Sequence, residues 1–230
     1  MKLTGPTPNK KIAQKAQTVY AKLEVHFGLP EWRQPLPPLD ELISTILSQN
    51  TNDANRDLAF NRLKEKFSSW EAVRDAEPEQ ITEAIRIAGL ANRKAPRIQT
   101  ILRQISAERG NLDLGFLKSL PVEEVRAWLS RFNGVGPKTA AIVMQFALDM
   151  PAFPVDTHIY RVSGRLGLRP QAMRAEEAHA WLEALFTTQQ YGPGHLNLIR
   201  LGREICIARQ PRCQACPLNG LCEYYQNLNC

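Results

Sequence analysis

Apolar side chains recur every three to four residues along most of the chain, the spacing that places them on one face of an α-helix. The clearest such face is formed by Leu39, Leu42, Ile43, Ile46 and Leu47. A polar cluster at residues 48–53 ends this helix and starts a second one, which carries Leu58, Leu63 and Phe67. Alternating strand patterns of any length are missing. The sequence therefore predicts an all-α protein of about ten helices joined by short polar turns.

Residues that start and stop helices punctuate this pattern. Ser68 with Glu71 predicts a capping box, and Glu77 with Pro78 predicts the start of a helix that runs through Ile87. Further predicted boundaries are a stop at Gly89, a start at Asn92, and a start near Pro121 for an amphipathic helix over residues 122–132.

The stretch DMPAFPVDTH, residues 149–158, marks a domain boundary because Pro151 and Pro154 interrupt helical structure. A lysine-rich N-terminal helix precedes a second proline-rich stretch, WRQPLPP, so it is free to pack on the C-terminal part of the chain. We therefore expect one domain at residues 31–150 and a discontinuous one at residues 1–30 and 151–230.

Composition narrows the class of protein. The 230 residues include 29 Lys and Arg against 23 Asp and Glu, which gives a net charge of +6 and a pI near 9.2. This balance favours a polyanionic partner such as nucleic acid without establishing one. The first 23 residues lack the apolar run of a secretory signal, and no window reaches the roughly 20 apolar residues of a membrane span. We expect a soluble, intracellular protein with no membrane association.

The segment FNGVGPKTA, residues 132–140, predicts a tight turn that opens a helix. Gly134 and Gly136 allow backbone angles closed to other residues, and Pro137 suits the first helical turn. Following the helix at residues 122–132, this gives a helix, a hairpin and a second helix whose free N–H groups suit a phosphate. An ordinary helix–helix turn that needs glycine explains the spacing equally well.

Lys138 lies in the first turn of that second helix, where the helix dipole disfavours a cation. The dipole, together with burial in a cleft, favours the neutral, nucleophilic amine. A lysine that reaches outward to a phosphate is the alternative. Eighteen residues later, in VDTHIYR, Asp156 is predicted to cap a helix, a position that also holds a carboxylate rigidly. His158 is expected to support the site rather than to catalyse.

Four cysteines crowd into the segment CIARQPRCQACPLNGLC: Cys206, Cys213, Cys216 and Cys222, with six, two and five residues between them. Four thiolates can hold zinc or a [4Fe–4S] cluster. Structural zinc sites usually show two close pairs of ligands, and only one close pair occurs here, so the spacing favours iron–sulfur. Arg209 and Arg212 lie in the six-residue loop, within reach of phosphates. Cys230 is expected to be dispensable.

Taken together, GVGPKTA, VDTHIYRV and this cysteine spacing resemble the endonuclease III family of DNA repair glycosylases, from about residue 31 to residue 225. The resemblance implies a six-helix barrel domain with a helix-hairpin-helix at residues 132–138. It also implies a second helical domain that carries a [4Fe–4S] cluster, with DNA in the groove between the two. Lys138 matches the nucleophile, Asp156 the carboxylate and the four cysteines the cluster ligands.

The resemblance also implies contacts to DNA. Leu90, in AGLANRKA, matches a leucine that the family inserts into the duplex, although a core leucine is the simpler interpretation of the sequence alone. The family places a glutamine three residues before the aspartate that matches Asp53; this chain has Asn50 there, preceded by Gln49. Further expected contacts are Gly134, Val135, Gly136, Thr139, His158, Arg209 and Arg212.

The implied function is a bifunctional DNA glycosylase and abasic-site lyase. It would remove oxidised or ring-opened pyrimidines from double-stranded DNA and cleave abasic sites, as a cytoplasmic, nucleoid-associated monomer. Adenine-specific relatives lack a lysine at this place, so Lys138 favours the lyase branch. Two alternatives stay open: a monofunctional glycosylase of the same fold, and a non-catalytic DNA-binding iron–sulfur protein in which Lys138 only grips phosphate and Asp156 only caps.

Overall fold

The computed structural model describes residues 7–30 and 34–228, and all regular structure in these ranges is helical. This confirms the all-α prediction. The predicted domain boundary at residue 31 and the expectation for Cys230 lie outside the described residues. The α-helices are α1 (Lys10–Phe27), α2 (Pro38–Leu47), α3 (Asp53–Lys66), α4 (Trp70–Asp75), α5 (Pro78–Ala84), α6 (Ala91–Arg109), α7 (Val122–Ser130), α8 (Pro137–Ala147), α9 (Thr157–Leu166), α10 (Ala175–Glu183), α11 (Thr188–Glu204) and α12 (Glu223–Leu228). Four 3-10 turns accompany them: Arg86–Ala88, Gly115–Ser119, Cys213–Ala215 and Asn219–Leu221.

The chain divides into two compact units. The middle unit is Pro35–Met150 and contains α2 to α8. The terminal unit combines Met1–Gln34 with Pro151–Cys230, and its helices are α1 and α9 to α12. None of the described helices is both long and apolar enough to cross a lipid bilayer.

Helix α2 is the centre of the middle unit. It packs against α3, α6 and α8, and eight of its ten residues are buried. The sequence predicts a single apolar face here, and that prediction is too narrow, because neighbouring helices also cover Glu41, Ser44 and Thr45. The Thr45 hydroxyl donates to Glu41 Oε1 at 3.3 Å, so these polar side chains pair within the core.

The core of the terminal unit joins residues that are far apart in the chain. Helix α1 buries Ala16, Val19 and Leu23 on one face and packs against α11, which in turn packs against α9. Phe153 stacks on Phe186, with ring centroids 5.3 Å apart, at the heart of this core.

Four predicted helix boundaries are corrected. Ser69, not Ser68, caps α4, because the helix begins at Trp70, which is buried. The Ser69 hydroxyl accepts a hydrogen bond from Ala72 N at 3.2 Å. The other three corrections are the end of α5 at Ala84 instead of Ile87, the start of α6 at Ala91 instead of Asn92, and the end of α7 at Ser130 instead of residue 132. The chain tightens into a 3-10 turn after α5, a left-handed Leu90 starts α6 abruptly, and Arg131 already leaves α7 for the hairpin.

Candidate functional site

The hairpin between α7 and α8 has the predicted helix-hairpin-helix form. Gly134 has φ +81°, in the left-handed region where glycine is favoured. Gly136 has φ −87° and ψ −179°, extended backbone that any residue adopts, so the expectation that both glycines need special angles is wrong for Gly136. A Cβ added to Gly136 would meet nothing in the protein within 4 Å, which leaves its outer side open.

Lys138 is the second residue of α8, in the first helical turn as predicted, and is half-buried. Its neighbours Val135 and Thr139 are 3% and 4% exposed. Their side chains therefore anchor the hairpin in the core of the middle unit, and they do not point outward. Lys138 is therefore partly accessible, whereas Val135 and Thr139, for which the sequence analysis expected DNA contacts, are buried.

The Gln49 side chain is hydrogen-bonded to the hairpin. Its Nε2 donates to the Gly134 carbonyl at 2.9 Å, and its Oε1 accepts from Arg97 Nη1 at 2.8 Å. Arg97 also lies flat against Gly134, since a Cβ there would come within 2.2 Å of Arg97 Nε. Sequence reasoning missed Arg97, because no motif links α6 to the hairpin.

Asn50 and Leu90, unlike Gln49, are exposed at the surface. Both are exposed residues with left-handed backbone, at φ 55° and 52° respectively. The Leu90 side chain is 46% exposed, so it is not the core leucine that the sequence alone favours. A left-handed leucine is strained by roughly 1–2 kcal/mol, so the surrounding fold imposes this conformation.

Asp156 caps α9 as predicted: its Oδ1 accepts a hydrogen bond from Ile159 N at 2.8 Å. His158 lies in the first turn of the same helix, with Nδ1 3.2 Å from Arg161 Nη2. A Cβ on Gly202 would come within 2.8 Å of the His158 Cβ, so the glycine lets this ring pack against α11. His158 thus has a packed, supporting position, as expected.

The four cysteines line one small pocket of the terminal unit. Among the described residues, no three His, Cys, Asp or Glu side chains are grouped to hold a metal ion. All four cysteines nevertheless line the same pocket, which is the arrangement that the ligands of one shared cluster need. Cys206, Cys213, Cys216 and Cys222 are all free thiols.

The chemistry of these thiols fits an iron–sulfur cluster. Burial raises the pKa of the Cys213, Cys216 and Cys222 thiols, and the charges of neighbouring cysteines raise it further. Four thiolates therefore cannot share this cavity without positive charge to offset them. Iron supplies that charge, and thiolate is its usual ligand in such clusters.

Arginines on α9 support the segment that carries the cysteines. Arg161 donates to the Cys206 and Gly202 carbonyls at 3.0 and 2.8 Å. Arg165 donates to Cys206 Sγ at 3.4 Å and to the Ile207 carbonyl at 2.7 Å. Sequence reasoning missed both roles, although their i, i+4 spacing on one helix face was a readable signal.

Arg209 and Arg212, the two arginines that were predicted to reach phosphates, are exposed in the loop after Cys206. Their exposure leaves both guanidinium groups open to solvent.

The chain matches two protein families. Residues 43–187 match the HhH-GPD superfamily of base excision DNA repair proteins, and residues 206–222 match the iron–sulfur binding domain of endonuclease III. The cofactor that this segment takes is a [4Fe–4S] cluster. Both matches agree with the resemblance inferred from the sequence.

Several named relatives are similar over most of the chain. Endonuclease III of Thermotoga maritima is 33% identical over 203 residues, 88% of this chain and 91% of that protein. Endonuclease III of Sulfolobus acidocaldarius is 32% identical over 80% of this chain and 81% of that protein. An Arabidopsis thaliana protein named as a proposed DNA glycosylase is 44% identical over 63% of this chain, and the match spans about half of that longer protein, 49%.

Two solved structures of endonuclease III with DNA have a similar fold. The structure of a trapped covalent intermediate of endonuclease III with DNA superposes with a TM-score of 0.81 and 27% sequence identity, over 95% of this chain and 99% of that one. A non-covalent complex of endonuclease III with DNA gives 0.80 and 28%, over 94% and 98%.

Proposed function

Since the chain belongs to the HhH-GPD superfamily of base excision DNA repair proteins, we propose that it is a bifunctional DNA glycosylase and abasic-site lyase. Its substrates are oxidised or ring-opened pyrimidines in double-stranded DNA and the abasic sites they leave. The observation that carries this proposal is Lys138 at the second position of α8, directly after the hairpin. A phosphate-binding helix start does not need a nucleophilic amine, but a lyase does.

The reaction uses two side chains of this chain. The neutral Lys138 amine attacks C1′ of the extruded deoxyribose, and the N-glycosidic bond breaks with its electron pair leaving on the base. The nitrogen bonded to C1′ then loses a proton, the C1′–O4′ bond breaks, and O4′ takes up a proton, which opens the sugar ring and leaves an iminium between Lys138 and C1′. Removal of a C2′ proton then expels the 3′ phosphate by β-elimination, and water releases the enzyme. The Asp156 carboxylate stabilises the positive charge that develops on the sugar.

DNA binding combines an electrostatic grip with two wedges. The open side of Gly136 lets the hairpin backbone approach a phosphate, and Arg209 with Arg212 adds positive charge. The exposed Asn50 and Leu90 fill the gap left by the extruded nucleotide. Gln49 positions the hairpin instead, because both ends of its amide are already bonded.

Cys206, Cys213, Cys216 and Cys222 are the ligands that we propose for the [4Fe–4S] cluster, because all four line one pocket. We expect the bound cluster to stabilise residues 206–222. The cysteines take no part in the reaction at the sugar. We expect the protein to act as a monomer and to reside with the nucleoid in the cytoplasm, where its DNA substrate lies.

Borohydride trapping tests the proposal. Borohydride reduces the iminium to a stable amine, so the wild-type protein should form a covalent adduct with duplex DNA that holds an oxidised pyrimidine or an abasic site. Lys138→Gln should abolish the adduct, while the salt slope of DNA binding changes by only about one unit, because one phosphate contact at most is lost.

The matched control is Lys118→Gln, which removes an exposed cation from the same unit outside the hairpin. It should retain the adduct. Adduct formation by Lys138→Gln at the wild-type rate would place the nucleophile elsewhere. Base release without strand cleavage by the wild-type protein would identify a monofunctional glycosylase, and DNA binding without turnover would identify a non-catalytic protein.

A further inference from the structure

A lysine on α6 is buried in the middle unit. Lys94 is 1% exposed, and its ammonium donates to the Leu47 carbonyl at 2.7 Å and to the Ala88 carbonyl at 2.9 Å. Lysine is almost never fully buried without such partners. The reaction proposed above does not use this side chain.

Both acceptors terminate a helix. Leu47 is the last residue of α2, and Ala88 is the last residue of the 3-10 turn Arg86–Ala88. Carbonyls at the ends of such elements have no partner within the element, and the Lys94 ammonium bonds one from each.

This arrangement has an energetic cost. Burial lowers the pKa of Lys94 to about 8, and the nearby charge of Arg97 contributes in the same direction. An apolar side chain of similar volume would fill this space without the cost of burying a charge. A requirement beyond packing therefore explains the lysine better than packing alone.

The two acceptors lead directly into the two wedge residues. Asn50 follows Leu47 by three residues, and Leu90 follows Ala88 by two. Both wedge residues are exposed and left-handed; asparagine adopts this conformation readily, whereas a leucine needs support from the surrounding structure. The same side chain thus bonds to the carbonyls that precede two turns, and the wedge residues of these turns are 40 residues apart in the chain.

We propose that Lys94 is a positioning residue that holds these two turns at a fixed separation, so that Asn50 and Leu90 enter the duplex as one rigid pair. The inference rests on the proposed function. A pair that is already in place loses little conformational freedom when the nucleotide is extruded, and more of the contact energy then serves to open the duplex.

Lys94→Met tests the inference because methionine keeps most of the volume and removes the donor. The measurement is the single-turnover rate of base excision from a fully paired lesion, compared with strand cleavage at a preformed abasic site, which is already partly unstacked. Misplacement of the wedges should lower excision about tenfold or more and cleavage by less than about threefold.

Gln99→Met is the matched control. Gln99 lies on the same helix, is also buried, and donates to the Ala76 carbonyl at 2.7 Å, in a turn that carries no wedge residue. It should reduce thermal stability as Lys94→Met does, while the ratio of excision to cleavage stays at the wild-type value. An equal change of that ratio in both variants would overturn the inference.

A double-mutant cycle separates positioning from general damage. In protein that already carries Asn50→Ala and Leu90→Ala, adding Lys94→Met should cause no further loss of excision, because there is no wedge left to position. A tenfold loss in both backgrounds would show a purely structural lysine.

The inference can also be tested without a change at Lys94, should Lys94→Met not fold. The losses of excision caused by Asn50→Ala and by Leu90→Ala should be non-additive, since a rigid pair fails as a unit. Additive losses would overturn the rigid pair. An inactive wild-type protein would instead refute the proposed function, so the two failures are distinguishable.

Discussion

The hairpin at residues 131–136 and the cysteine segment at residues 206–222 are both short and mostly irregular, yet different forces hold them. The hairpin lies between two α-helices, with Val135 and Phe132 buried beneath it and Gln49 bonded to its Gly134 carbonyl. The cysteine segment contains two 3-10 turns, Cys213–Ala215 and Asn219–Leu221, in which no residue is buried.

The hairpin and the cysteine segment differ in the interactions that fix their shapes. Apolar burial and hydrogen bonds of the protein itself specify the shape of the hairpin. In the cysteine segment, burial and the neighbouring cysteines raise the pKa of the Cys216 thiol, and arginines of α9 bond the chain on one side. We therefore expect the shape of the cysteine segment to depend on the cofactor and the shape of the hairpin not to.

The largest effect is expected when one of the four cysteines is replaced, because only the cysteine segment should depend on the cofactor. Cys216→Ser should abolish the brown absorbance near roughly 400 nm and the binding of about four irons. It should also destabilise the terminal unit by on the order of 5 kcal/mol or more, because the free energy of cluster binding is part of its folding free energy. Iron analysis and hydrogen exchange by mass spectrometry measure both effects, and the middle unit should keep its protection.

Cys230→Ser is the control for that experiment and should retain all the iron. A Cys216→Ser protein with full iron content would remove this cysteine from the ligand set. Equal loss of protection in both units would show that the hairpin depends on the cofactor as well.

A smaller effect is expected from a matched pair of glycine substitutions in the hairpin. Gly134→Ala should lower the free energy of unfolding by about 1–2 kcal/mol, because its backbone is left-handed and a Cβ would displace Arg97. Gly136→Ala should change stability by less than about 0.5 kcal/mol, because its backbone is extended and nothing lies near the new methyl group.

For DNA affinity, in contrast to stability, Gly136→Ala should have the larger effect of the two substitutions. Gly136→Ala places a methyl group where a phosphate approaches, so it should weaken binding in a fluorescence anisotropy titration despite its normal stability. Unchanged affinity for Gly136→Ala would show that the hairpin backbone does not approach DNA at this residue.

The last prediction concerns the pH dependence of stability in the middle unit, which carries the hairpin. Because burial lowers the pKa of Lys94 from 10.5 to about 8, the unfolded chain binds more protons than the folded one between these values. The Lys94 contribution to stability should therefore rise with pH across this window, by on the order of 3 kcal/mol at 1.36 kcal/mol per pKa unit. The stability difference between wild type and Lys94→Met, measured by urea unfolding at pH 7 to 10, should show this rise; a constant difference would contradict the shift.

Local signals in the sequence were sufficient for several parts of this molecule. The helical period predicts α2, and the Gly and Pro residues around residue 135 predict the hairpin, because each signal involves residues within a few positions of one another. The cap at Asp156 follows for the same reason, since its partner Ile159 N is three residues away.

The contacts of Lys94, Arg97 and Arg165 could not be predicted. Their acceptors are carbonyl or amide groups about 40 residues distant, such as Leu47 O for Lys94, and every residue offers the same backbone carbonyl. Burial of the polar side of α2 was missed similarly, because it depends on how many helices surround that helix.

The pairing of α1 with α11 has a consequence for synthesis on the ribosome. Helix α11 begins about 160 residues after α1 ends, which at common elongation rates is a delay of roughly 10–30 seconds. During that interval the whole middle unit is made and can fold, while Ala16, Val19 and Leu23 still lack the partner that covers them. The nascent chain thus exposes this apolar stripe throughout that interval, and the stripe is a surface to which a chaperone at the ribosome can bind.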